Sequence, residues 1–169
     1  MVRTLATRLA VAAALVGALA ACGDEVPADE APAASVVEPG TAAILKERHD
    51  NFESIGDAFK AVRGELEKDA PDFALIADNA NDIYNRAGNI ERHFIERTSI
   101  DDGFDTEALA TIWEKPDGFK AATQKLLDES AELAAVAASG DKAAVAAQAM
   151  AMGGACKDCH DQFRLDDEK

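Results

Sequence analysis

Cys156-Lys157-Asp158-Cys159-His160 sets two thiols two residues apart, with an imidazole directly behind the second. Each thiol of such a pair can form a thioether to one vinyl group of a haem, and the histidine then reaches the iron as its proximal axial ligand. In that chemistry the axial ligand and its surroundings govern the outcome, not a catalytic triad. Two other chemistries use the same spacing: a redox dithiol and half of a zinc site. Zinc would need two more ligands, and only Cys22, His49 and His93 remain to supply them. A thioredoxin-like dithiol follows a strand at a helix start, and no convincing strand is legible in this chain. The motif therefore favours one covalent haem c on Cys156 and Cys159, with His160 on the metal.

The amino end reads as a targeting segment. Arg3 and Arg8 make a positive region, and Leu9 to Ala21 is apolar throughout apart from Gly17. That run is too short for an ordinary membrane-spanning helix and suits a signal peptide over residues 1–21. It ends Leu19-Ala20-Ala21-Cys22, which resembles the bacterial lipobox, with cleavage before the cysteine and lipid on its sulfur. An ordinary signal with Cys22 left as a free thiol is the plainer alternative. Lipidation would anchor the protein to a membrane on the periplasmic side, and Gly23 after the cysteine slightly favours the outer membrane. Residues 22–38 are rich in Pro, Ala and acid, bury little, and read as a flexible tether. Residues 39–169 are then one domain's worth of chain.

The elements that must hold the motif are helical. The domain is rich in Ala and poor in aromatic residues and β-branched runs. A first helix is expected from Pro39 to just before Pro71, with an apolar stripe of Ile44, Phe52, Ile55, Phe59, Val62 and Leu66 that also carries Arg48. A second carries Phe73, Ile76, Ala80, Ile83, Ala87, Ile90 and Phe94, with Gly88 as its weak point. Ser99 to Gly103 reads as a linker, and a short helix is expected from Thr106 to Trp113, before Pro116. A third long helix carries Phe119, Ala122, Leu126, Leu133 and Ala137 and stops at Gly140. Asp141 caps a fourth that carries Val145, Ala149, Met152, Cys156, Cys159 and Phe163. The fold class is thus all-α: an antiparallel four-helix bundle with covalent haem near its C-terminal end. Trp113 reads as a packing residue and His93 as a surface residue.

Position and wording of the motif together resemble one family. Haem attachment at the C-terminal end of a four-helix bundle is similar to the cytochrome c′ family, the class II c-type cytochromes, over about residues 40 to 166. Cys156 to Arg164 resembles the closing segment of that family, Gly140-Asp141 its helix opening, and Ile112-Trp113 with Phe119-Lys120 its third-helix entry. Arg48 followed one turn later by Phe52 resembles its first-helix signature. The resemblance implies an arginine near a haem propionate and a residue at Phe52 covering the distal iron face. Arg48 on an apolar stripe also wants an anion in its own right, although a surface arginine is common. Arg164 is a candidate for a propionate or the haem edge, and equally for the surface. His49 has three readings open: distal ligand, propionate neighbour, or solvent-facing.

Phe52 is where the chain departs from the family, which commonly has Leu or Met there. Phenylalanine cannot coordinate iron, and Met150 and Met152 lie on the haem-bearing helix itself. The resemblance therefore implies five-coordinate, high-spin iron in a blocked apolar distal pocket, which admits small uncharged gases such as nitric oxide and carbon monoxide only when the ring moves aside. It also implies electron transport with a redox partner protein, and leaves a homodimer open. A peroxidase-like haem enzyme is the alternative, and no firmly placed acid–base pair supports it. Charge excludes another class. The chain carries −15, and without residues 1–21 it loses Arg3 and Arg8 and falls to −17. Such a surface repels nucleic acid.

Overall fold

The computed structural model describes residues 38–165; the leader, Cys22 and all but the last residue of the tether lie outside the described residues. Helix α1 spans Pro39–Leu66, with proline in its first turn, where a missing N–H costs nothing. Its inner face buries Ile55, Ala58 and Val62. The turn that follows is closed by buried Glu65, which accepts from the Asp72 amide at 3.1 Å and from Lys68. Those bonds hold the Glu65 carboxyl below the usual carboxylate range, the Lys68 bond most of all. Asp72 then caps α2 (Phe73–Ala87) by accepting from Leu75 N at 3.1 Å. Ile76, Ala80, Ile83 and Ala87, at steps of four and three, are wholly buried along it.

The long helices alternate in direction. Asn51 of α1 donates to the carbonyl of Arg86 near the end of α2. After a short α3 (Thr111–Glu114), α4 spans Pro116–Ala137 and buries Phe119, Leu126 and Leu133. Its two buried hydroxyls, Thr123 and Ser130, donate to carbonyls one turn back, at 3.1 and 2.7 Å. Gly140 reverses the chain at φ 68°, a left-handed value that suits glycine. Asp141 accepts from Ala143 N and Ala144 N and starts α5 (Lys142–Phe163). Lys125 of α4 pairs with Asp158 of α5, and Gln148 with Glu129, which fixes an antiparallel register. The pairs α1–α2, α2–α4 and α4–α5 pack closely, whereas α1 and α5 meet only sparsely. The four-helix bundle expected from the sequence is therefore present, with one seam left open.

The connectors differ from expectation. The α-helical part of α2 ends at Ala87, with Gly88 at its cap, and only a 3₁₀ turn over Glu91–Phe94 continues the periodicity. A second 3₁₀ turn, Ile100–Asp102, is closed by a reciprocal Ser99–Asp102 capping box and by Gly103 at φ 87°. The expected helix from Thr106 forms only from Thr111, because residues 107–110 are drawn against the end of α5. His93, read as a surface residue, is buried at 3% exposure beneath α1. Burial first, then the Arg92 charge, hold its pKa below the ordinary histidine value, with Glu47 opposing.

Two tests follow. Ile83→Ala should lower stability by about 2–5 kcal/mol, and the exposed neighbour Tyr84→Ala by no more than about 0.5 kcal/mol; chemical denaturation of the two variants checks the face assignment. For His93, the unfolded chain takes the proton more readily than the folded one. Stability should therefore fall as pH drops below the unfolded histidine value of about 6.5. His93→Gln should make that fall shallower in thermal unfolding followed across pH.

Candidate functional site

The chemistry-bearing residues lie on the last three turns of α5. The helix forms from an alanine-rich run with good intrinsic propensity and a capped start. Cys156 and Cys159 are free thiols, half-buried, and both pack against the hydrophobic core. Burial raises the Cys156 pKa, and burial followed by the neighbouring Cys156 pushes Cys159 up to about 11. Thiols protonated in this way near a helix C-terminus are the opposite of an activated dithiol, which sits at a helix start with a lowered pKa. Among the described residues, no group of three or more His, Cys, Asp or Glu gathers to hold a metal ion such as zinc. His160 is exposed by surface area, yet enough protein surrounds it that desolvation, aided by Arg164, lowers its pKa. The neutral imidazole is the form that ligates iron.

A strap fixes the turn that carries His160. Thr111 Oγ1 donates to the Gln162 carbonyl at 2.7 Å, Leu109 N to that of Phe163 at 3.0 Å, and Leu165 N to that of Glu107 at 2.8 Å. Arg164 pairs with Glu107 at 2.6 Å. Neither Glu107 nor Thr111 stands out in the sequence, because nothing local announces a partner some fifty residues away in the chain.

The open α1–α5 seam runs along the part of α5 that leads up to the motif, its lining ending at Gly153, one turn before Cys156. A cleft of about 410 Å³ runs between Phe59 and Leu66 on α1 and Ala146, Ala149 and Gly153 on α5. Small residues hold the helices apart without filling the gap. A Cβ on Gly153 would lie 3.3 Å from Phe59 Cζ, whereas one on Gly56 would meet nothing within 4 Å. Lys142 Nζ donates to the Lys68 carbonyl at 2.6 Å and sets the register at the far end. Counted from the Phe59–Gly153 approach, an antiparallel register sets Gly56 opposite Cys156 and Phe52 opposite the turn of His160 along the two helices. Cys156 and Cys159, packed against the core just beyond this cleft, are the groups that would hold a flat apolar cofactor here.

The other candidates are placed as follows. Phe52 is half-buried and packs on the core. Its ring stands edge-on to Phe94, with centroids 6.2 Å apart. Arg48 is buried at 4% exposure, and burial lowers its pKa to about 10. It donates through Nε and Nη2 to the His93 carbonyl, through Nη2 to Thr98 Oγ1, and through Nη1 to the Thr98 carbonyl. Its guanidinium also lies 4.0 Å from the centroid of the Phe94 ring. Those bonds brace the segment after α2 against α1, a task that sequence reasoning missed. His49 faces solvent beside Glu53. Met152 is fully buried and Met150 is 79% exposed. Trp113 donates from Nε1 to the Phe94 carbonyl at 2.8 Å, which suits its reading as a packing residue.

Known proteins match this arrangement. A sequence profile described as Cytochrome C′ matches residues 43–164. Cytochrome c′ of Rhodospirillum rubrum is 36% identical over 126 residues, which is 74% of this chain and 84% of that protein. Cytochrome c′ of Rubrivivax gelatinosus is 42% identical over 127 residues, 75% of this chain and 96% of that protein. The solved structure of cytochrome c prime from Shewanella frigidimarina superposes with a TM-score of 0.68 at 27% identity, covering 77% of this chain and 100% of that one. With the profile spanning most of the described residues, and the thiol pair and histidine at the end of the last helix beside an open seam, this chain belongs to the cytochrome c′ family.

Proposed function

We propose that this chain is a periplasmic c-type haem protein that carries electrons and binds small uncharged gases, with one haem joined to Cys156 and Cys159. What supports this reading is the thiol pair and histidine on the last turns of α5, both thiols packed against the core, in a chain of the cytochrome c′ family. When bound, the haem supplies the redox couple and an iron open to exogenous ligands. The chain supplies the surroundings. His160 presents a neutral imidazole from a turn pinned by Thr111, Leu109 and Glu107. Phe52 would offer the opposite side a ring that cannot coordinate, which would leave His160 as the protein ligand to a haem held here. Phe59, Leu66, Ala149 and Gly153 make the seam largely apolar, with Arg63 and Glu67 at its rim. Arg48 keeps one Nη1 hydrogen beyond its bonds to His93 and Thr98, and is the propionate partner on α1 in this reading; Arg164 is the corresponding partner on α5. Cys22 carries the lipid that tethers the domain, a reading supported by Leu19-Ala20-Ala21-Cys22. The acidic surface suits a basic redox partner.

Protein matured in the periplasm should show one added haem by mass spectrometry that survives denaturation. An apo mass, or a Cys156–Cys159 disulfide, would sink the reading.

Electron paramagnetic resonance should give a high-spin or spin-admixed ferric signal, and a clean low-spin signal would point to a second protein ligand. Phe52→Ala should speed and tighten carbon monoxide binding in flash photolysis. It should also cost about 3 kcal/mol, the lower end for phenylalanine truncation because the ring is half-buried.

A further inference from the structure

Phe94 is the hub of the aromatic contacts in this bundle. Its ring centroid lies 6.2 Å from that of Phe52, 5.9 Å from Trp113 and 5.0 Å from Phe119. Arg48 covers it at 4.0 Å. Phe94 itself is buried at 8% exposure. Its backbone is pinned on both sides. The carbonyl of His93, just before it, takes two Arg48 N–H groups, and its own carbonyl takes the Trp113 indole. A ring held in this way has little room to yield. Phe52 is its opposite: half-buried, with Phe94 as the ring it meets among the described residues. The edge-on geometry favours one orientation of Phe52 over the others.

We propose that Phe94 is a positioning residue for ligand entry, acting as the stop against which the Phe52 ring closes over the distal side. This rests on the reading of Phe52 as the distal residue. To admit a gas, Phe52 must leave the edge of Phe94, and the strength of that ring pair sets part of the entry barrier. Arg48 and Trp113 contribute by fixing Phe94, not by touching the ligand.

The test is a double-mutant cycle on the haem-loaded protein, with Phe52→Ala, Phe94→Leu and both together. Carbon monoxide association by flash photolysis and thermal unfolding are read on all four proteins. Phe94→Leu should speed association about 2- to 10-fold, the range that an aromatic pair of this geometry is worth. It should add nothing once Phe52 is Ala. The unfolding data should show the same pair coupled. Trp113→Phe removes the indole bond to the Phe94 carbonyl and keeps an apolar ring, so it should speed association in the same direction but less. It carries the test if Phe94→Leu does not fold. Equal acceleration by Phe94→Leu in both backgrounds would overturn the proposal, as would no acceleration while Phe52→Ala alone is fast. If Phe52→Ala leaves carbon monoxide kinetics unchanged, the distal reading of Phe52 fails first, and the proposal falls with it.

Discussion

A ring of four antiparallel helices has four seams, and here only three of them close. The side chains along α1–α2, α2–α4 and α4–α5 interlock to wholly buried residues such as Ile83, Leu133 and Val145. Along the fourth, α5 offers alanine, glycine and cysteine where the other pairings offer leucine and isoleucine. A bundle built from the polypeptide alone would lose free energy at such a gap, since voids forfeit both apolar burial and dispersion contacts. The open seam is thus tied to the chain's need for a large apolar group. Everything else braces around it: the strap over the last turn of α5, the Glu65 closure between α1 and α2, and the Arg48 clamp.

Arg48 illustrates how a buried charge is tolerated. Its guanidinium meets two backbone carbonyls, a hydroxyl and an aromatic face, so desolvation is offset by bonds and by the ring quadrupole. The residues it gathers come from a stretch without regular α-helix. An arginine presents five donors in a rigid planar fork, so it can hold two carbonyls and a hydroxyl in fixed directions, where a lysine has three donors on a flexible stem.

The long helices were legible because their signals are local. Pro39, Asp72, Gly140 and Asp141 mark ends through their own backbone chemistry, and the stripe from Ile76 to Ala87 repeats at helical spacing. The thiol pair and histidine were legible for the same reason. The segment after Ala87 was misread because Ile90 and Phe94 continue the helical period while Gly88 and a tighter 3₁₀ turn change the geometry beneath it. His93 went with it, since one residue of rotation carries a side chain from surface to interior. The strap at residues 107–111 was invisible because its bonds reach carbonyls at the far end of the chain. Arg48 reads in the sequence as an arginine in want of an anion, and the carbonyls it meets were not legible because they lie about fifty residues away.

The partial burial of Cys156 and Cys159 bears on their reactivity. Thioether formation needs sulfur that can be reached and activated, and in the closed bundle both thiols are half-shielded and held protonated. Once Leu109 and Leu165 have locked the strap onto α5, the attachment turn has little freedom to present itself to a maturation enzyme. Closure of the bundle and access to its two thiols therefore oppose one another: the bonds that steady the last turn of α5 are the same ones that restrict how far that turn can move.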